Sequence, residues 1–383
     1  MRLVLHGGFS EKGRTCIAVE SDGYRLLLDA GVKTSARDRD DYYPDISEAA
    51  LTATDAIVIT HGHEDHVAAL GWCIARGFRG RIFMTAETLR EADLCLAGYA
   101  PPEYRALVRE ANVESLPVSH DSLVLGPLRV ATGRSGHIAG GVWCSVDDGR
   151  DTFLYCGDVV PASPIFAMDA IPRCNAIAID ASYGDDDVCN RDRALQVSEW
   201  IANRTKGCVL PTPLCGRSAE LLAIIPGRVA LAPGMRDALH AQITGSSWLV
   251  EGTADVLAER LGVTVDWQEG MALPRAALLC HDGMGLSGPS RHILEMAVAQ
   301  GHPTLFTGHV PANSPGERMV TEGSAAWIRL PTHPTLSENV AMIAASAART
   351  VLGHSCERAA LARLASHVPS LRTDLATGDY VDL

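Results

Sequence analysis

Lysine is nearly absent from this chain: Lys12, Lys33 and Lys206 are its three lysines among 383 residues, and the formal net charge is −13. Such a balance argues against attraction of nucleic acid over the whole surface, and it leaves any phosphate contact to arginine, backbone amides and metal. Aromatic residues make up only 5% of the chain, so nothing indicates a stacking platform for single strands. No stretch reaches the ~18 apolar residues of a membrane span, and the opening MRLVLHGGFSEKGRT lacks the basic start, apolar run and cleavage site of a signal peptide. The expectation is a cytoplasmic protein with no membrane partner. The eleven cysteines contain no C-x-x-C pair, which gives neither a disulfide framework nor a thiolate zinc knuckle.

What is present is apolar bulk. With 47% hydrophobic residues the chain can bury the cores of about two domains. Short apolar runs bounded by Gly, Asp or Ser read as strands at residues 3–5, 16–19, 26–28 and 56–60, and again at 129–132, 142–146 and 152–155. Helical periodicity falls at 67–76, 86–97 and 102–111. From about Asp186 the texture becomes alternating helix and strand, at 193–203, 208–210, 217–224, 276–280, 290–299 and 304–306. The tail reads as a strand at 327–330, a helix at 337–347, a strand at 350–352 and a helix at 357–367. The class is therefore α/β, of the α+β kind with sheets covered by helices.

The densest chemistry lies at the end of the strand at 56–60, where His61-Gly62-His63-Glu64-Asp65-His66 precedes a helix. A strand-to-helix turn can aim alternate side chains at one point, and neutral imidazoles with a carboxylate are the ligands that a catalytic zinc takes. Four ligands in a compact motif do not close a pair of metals, so others must come from later strand ends. Ser135-Gly136-His137 and Gly157-Asp158 each follow a strand in that way.

These residues carry a resemblance. Thr60–His66 is similar to the T-H-x-H-x-D-H signature of the metallo-β-lactamase superfamily, and His137 and Asp158 resemble its later motifs. The resemblance implies an αββα sandwich holding two zinc ions, with manganese as the alternative. His61, His63 and His137 would hold one ion, Asp65 and His66 the other, and Asp158 would bridge. A histidine rather than a glutamate at His63 points away from the di-iron flavoprotein relatives.

Further motifs resemble the β-CASP nuclease branch. Ile179–Gly184 looks like its acidic motif A, centred on Asp180, and Gly207–Pro211 with Gly216-Arg217-Ser218-Ala219-Glu220 is similar to the inserted domain. His281–Met284 with Ser287-Gly288-Pro289-Ser290-Arg291 resembles the segment that approaches the substrate backbone, which makes Arg217, Ser218, Ser287, Gly288, Ser290 and Arg291 candidates for binding phosphate. His333 matches motif B, without the acidic residue that often follows it, and His354 matches motif C, completing the second metal's shell. The implied organisation is a discontinuous metallo-β-lactamase domain, residues 1–185 and 327–383, interrupted by a shortened β-CASP-like domain at 186–326.

The implied chemistry is phosphodiester hydrolysis. Paired zinc ions lower the pKa of water toward neutrality. Asp65 and Asp158 would serve catalysis through the metals. His333 would protonate the departing oxygen, oriented by Asp180. A histidine at motif C is typical of RNA-directed members, so RNA is the expected substrate. The sequence leaves a homodimer open and singles out no protein partner. Two other readings stand beside this one: a small-molecule metallo-hydrolase acting on an ester, thioester, lactam or cyclic phosphodiester, and a scaffold subunit without activity. The scaffold reading ranks last, because such subunits lose ligands and this chain keeps them all.

Overall fold

The structure, a computed structural model, describes residues 1–38, 40–119 and 121–383. The chain divides into two compact units, one made of Met1–Pro161, Met168–Asp187 and His333–Leu383, the other of Ala162–Ala167 and Val188–Thr332.

The first unit is built on two mixed sheets. One contains β1 (Arg2–Gly7), β2 (Cys16–Ser21), β3 (Tyr24–Leu28), β4 (Ala56–Val58), β5 (Arg81–Met84) and β6 (Val113–Ser115) in that order, with the C-terminal strand Tyr380–Asp382 beside β1. The other contains β7 (Ser122–Leu125), β8 (Leu128–Arg134), β9 (Val142–Asp147), β10 (Thr152–Tyr155) and β11 (Ala176–Asp180), closed at its far edge by Thr350–His354.

Residue alternation explains the layering. Ala18, Leu27, Ile57 and Ile82 pack with helix residues such as Leu70, Cys73, Ala92 and Leu96 in one cluster. Leu154, Ile177, Ile179 and Val351 pack with Met342, Leu361 and Leu364 in another. The alternate residues, among them Ile17, Val19, Leu26, Leu28, Phe153, Ala176 and Ala178, are all fully buried on the opposite faces. A strand buried on both sides has a sheet on one face and helices on the other, which gives the expected helix–sheet–sheet–helix layers.

Register then places the strand ends. β10, β11 and Thr350–His354 run parallel, with Asp180 paired to His354 across the ladder and Tyr155 paired to Ala178. Asp158, Asp180 and His354 therefore leave three adjacent strands at the same edge. Among the described residues no helix is long and apolar enough to cross a membrane.

In the second unit, β12 (Cys208–Pro211), β13 (Val229–Leu231), β14 (Val265–Asp266) and β15 (Ala277–Cys280) form a parallel sheet ordered β12-β15-β13-β14. A parallel pair, β16 (Leu305–Phe306) and β17 (Ala326–Trp327), completes it.

Several elements differ from the sequence reading. The helix expected at 67–76 is two short helices, Glu64–Val67 and Leu70–Ala75, because Ala69 N–H turns away to the carbonyl of Ala30 at 2.8 Å. The strand expected at 327–330 shrinks to Ala326–Trp327. Tyr380–Asp382 was not read as a strand; only Val381 of its three residues is buried, too little pattern to signal one.

Candidate metal centre

The compact motif does what a tight turn allows. Glu64–Val67 begins a helix directly after the extended residue His63, so His61 and His63 approach from the strand end and Asp65 and His66 from the helix. Gly62 stands where a Cβ would lie 2.7 Å from the Cβ of Glu91, so no larger residue fits this turn without displacing its neighbour. The rings of His61, His63 and His137 lie 4.9 to 5.0 Å apart in a triangle. His137 Nε2 and His63 Nδ1 face each other at 3.1 Å.

Asp158 stands at the centre. Its carboxylate lies 3.6 Å from His61 Nε2, 3.7 Å from His137 Nε2 and 3.2 Å from His66 Nε2. One ligand atom from each of His61, His63, His137 and Asp158 falls within 4.8 Å of the others. His66 Nε2 lies 3.8 Å from Asp65, and the His354 ring is 6.4 Å from that of His66.

The donor set fits a cation. His61 Nε2 and His354 Nε2 are buried from solvent yet have no hydrogen-bond partner, and His66 Nε2 meets only Asp158 Oδ1, at 3.2 Å. Folded proteins rarely leave such buried nitrogens unsatisfied, and a cation held beside Asp158 would satisfy them. Electrostatics agrees. Burial lowers the pKa of His61 well below the imidazole range and that of His354 too, so both stay neutral with lone pairs free. Burial pushes Asp65 up, against the opposing pull of His66 and His333. Burial works against a charge on His66 as well, yet Asp158, Asp65 and Asp29 together raise its pKa well above the usual value. Three carboxylates around one imidazole attract positive charge, whether a proton or a metal ion.

A layer behind these ligands fixes them, and sequence reading missed it. Asp29, fully buried after β3, accepts bonds from Thr60 N (2.7 Å), Thr60 Oγ1 (2.8 Å), Tyr155 Oη (2.6 Å) and His66 Nδ1 (2.7 Å). Holding Nδ1–H leaves Nε2 of His66 as the lone pair facing Asp158. A lone aspartate after an apolar strand carries no motif; the one available signal is that a charge ends a strand otherwise buried on both faces.

His333 sits beside this cluster. Its Nδ1 is 2.8 Å from Asp180 and 3.6 Å from Asp158. Burial opposes its charge, but Asp180 and Asp158 outweigh that and raise its pKa. Asp180 is itself held by the amide of Ser182 at 3.1 Å, and its carbonyl accepts from Asn339 Nδ2 at 2.9 Å. The structure thus gathers His61, His63, Asp65, His66, His137, Asp158, Asp180, His333 and His354.

The six phosphate-binding candidates belong to the second unit. Arg217 donates to Thr332 Oγ1 at 2.7 Å and runs under Gly308, where a Cβ would collide with its guanidinium. Ser218 is buried with its hydroxyl on the Leu214 carbonyl at 2.6 Å. Gly288 has φ +61° and no room for a side chain against His281. Ser287 Oγ donates to Asp282 at 2.7 Å, Ser290 Oγ donates to the Ser287 carbonyl at 3.1 Å, and Arg291 is exposed. Asp282 also takes the amides of Met284, Leu286 and Ser287 at 2.9 to 3.1 Å. Three amides of this loop are occupied by the loop's own carboxylate.

Known proteins bear on the geometry just described. Residues 11–188 match the metallo-β-lactamase superfamily. The chain is 26% identical over 287 residues to the transcription termination factor FttA of Cenarchaeum symbiosum, covering 67% of this chain and 44% of that protein. It is 26% identical over 238 residues to the cleavage and polyadenylation specificity factor 73 of Drosophila melanogaster, covering 57% of this chain and 34% of that one. The chain thus spans less than half the length of both. A crystal structure of a protein of unknown function from Enterococcus faecalis shares the fold, with a TM-score of 0.65 at 12% identity over 100% of this chain and 99% of that one. These relatives bear out the likeness to the RNA-processing β-CASP members, and residues 11–188 carry the match to the metallo-β-lactamase superfamily.

Proposed function

We propose that this chain is a metal-dependent phosphodiester hydrolase whose substrate is RNA, with the second compact unit as its β-CASP-like insert. The observation that carries the reading is the cluster of His61, His63, His137 and Asp158 ligand atoms within 4.8 Å of one another, with the His333–Asp180 pair at its side. His61, His63, His137 and Asp158 would hold one zinc and Asp65, His66, His354 and Asp158 the other, manganese being the alternative, and the pair would supply an acidified water and a polarised phosphoryl oxygen.

The chain's own residues do the rest. Asp29 holds His66 by Nδ1, so that its other nitrogen stays directed at Asp158. Asp180 accepts the Nδ1 proton of His333, which leaves the transferable proton on Nε2 for the departing oxygen. The raised pKa of His333 keeps that proton in place near neutral pH. RNA rather than DNA rests on His354 at the strand end and on the RNA-processing names of the relatives.

The test is a parallel assay. The purified chain with its metal content measured by mass spectrometry is offered end-labelled RNA, end-labelled DNA and a chromogenic phosphodiester, ester and thioester. Cleavage of RNA supports the proposal. Turnover of the small compounds with RNA left intact would replace it with the small-molecule hydrolase.

A further inference from the structure

The loop between β1 and β2 carries Lys12 and is tied by its backbone to the strand that ends in His354. Left-handed backbone at Gly8, Ser10, Gly13 and Arg14 folds it tightly. It is stitched to the strand that bears His354: Phe9 forms an antiparallel bridge with His354, and Ser355 N donates to the Gly8 carbonyl at 2.7 Å. Ser10 Oγ adds a bond to the Leu375 carbonyl at 2.8 Å. The loop's position beside His354 is therefore fixed by backbone as well as side chains.

Within it, neighbouring charges turn to different work. Glu11 accepts from Arg14 at 2.8 Å, Lys33 at 2.9 Å and Thr377 Oγ1 at 2.7 Å, and Asp41 takes second contacts from both cations at 2.9 Å. Arg14 and Lys33 are thereby neutralised. Lys12, half-buried between Glu11 and Arg14 in sequence, has no acidic partner among the described residues, and its charge opposes a second one at His333. The loop thus brings an ammonium to the strand that bears His354, through the Phe9–His354 bridge and the Ser355–Gly8 bond.

A strand of nucleic acid brings a negative charge at every phosphate, while Asp65, Asp158 and Asp180 line the centre it must enter. A cation in a loop bonded to the His354 strand would offset that repulsion, and an ammonium serves as a point charge for a phosphate oxygen. We infer that Lys12 is a substrate-binding residue that grips a phosphate of the strand beside His333, an inference that rests on the phosphodiester reading above.

The experiment uses the full-length, metal-loaded chain and end-labelled single-stranded RNA. Lys12→Ala and Lys12→Arg are compared with the wild type for KM and kcat, with metal content and thermal midpoint as controls. The expected result is a KM raised about tenfold for Lys12→Ala with kcat little changed, and most of that loss restored by arginine. A series of RNAs with one phosphate replaced by a neutral methylphosphonate then locates the contact. At one position next to the cleaved bond, wild type and Lys12→Ala should become alike, which a merely structural role would not produce. Equal KM for wild type and Lys12→Ala, or a difference that no methylphosphonate removes, overturns the assignment while the nuclease stands. A wild type that binds metal and leaves RNA intact overturns both.

Discussion

Two glycine-punctuated turns ahead of helices carry polar residues singled out in this sequence, and they are filled in opposite ways. At His61–His66 the side chains turn inward, where His61 Nε2 is buried without a hydrogen-bond partner and His66 Nε2 faces the Asp158 carboxylate at 3.2 Å. At Asp282–Ser290 the amides and a hydroxyl are already taken by Asp282. The first arrangement needs something from outside to complete it. The second completes itself. Both turns would look alike to a search for motif residues, and what separates a ligand site from a self-satisfied turn is whether the buried polar atoms have partners.

Substitutions at the two turns and their supports sharpen that contrast. Replacing Asp158 with alanine should have the largest effect, a loss of activity of about a thousandfold or more together with loss of bound metal, read by turnover and metal analysis. His333→Ala should slow turnover by about 10²–10⁴-fold and leave metal content intact, since its Nδ1 bonds Asp180 at 2.8 Å. Asp29→Asn should weaken metal affinity about 10–100-fold, measured by competition with a chelator, because it disturbs the residue behind His66. Retention of wild-type affinity would remove Asp29 from the account. At the self-satisfied turn, Asp282→Ala should cost about 2–3 kcal/mol of stability in denaturant unfolding and leave the metal untouched.

The smallest effect is a pH dependence in the second unit. Glu220 is buried with Ser163 Oγ at 3.0 Å and its other oxygen unpaired, and burial raises its pKa to about 7. A carboxyl whose folded pKa lies above its unfolded value stabilises fully at acid pH, and that contribution is lost as pH rises through about 7. Glu220→Gln should therefore match the wild type near pH 5 and be more stable by about 1–3 kcal/mol at pH 8, read from melting curves at both pH values.

How much of this was legible beforehand follows from the same physics. The ligands of the compact motif could be read because a strand, a turn and a helix keep them close in sequence. Asp158 and Asp180 could be read because each ends an apolar strand, although only the parallel register of β10 and β11 shows them side by side. Asp29 and Tyr155 could not, because their meaning is a hydrogen bond 126 positions apart along the chain. Ser218, Ser287 and Ser290 look from sequence like free donors, and only the fold shows that Leu214, Asp282 and the Ser287 carbonyl take their hydroxyls. Lys12 was visible only as a rarity of composition, and its importance depends on Glu11 being occupied elsewhere.

The most direct measurement is anomalous diffraction from crystals of the untreated protein at the zinc edge. The account predicts a pair of peaks flanking Asp158, one within bonding distance of His61, His63 and His137, the other of Asp65, His66 and His354. Density without any peak, with those side chains turned apart and hydrogen-bonded to other groups, would contradict it.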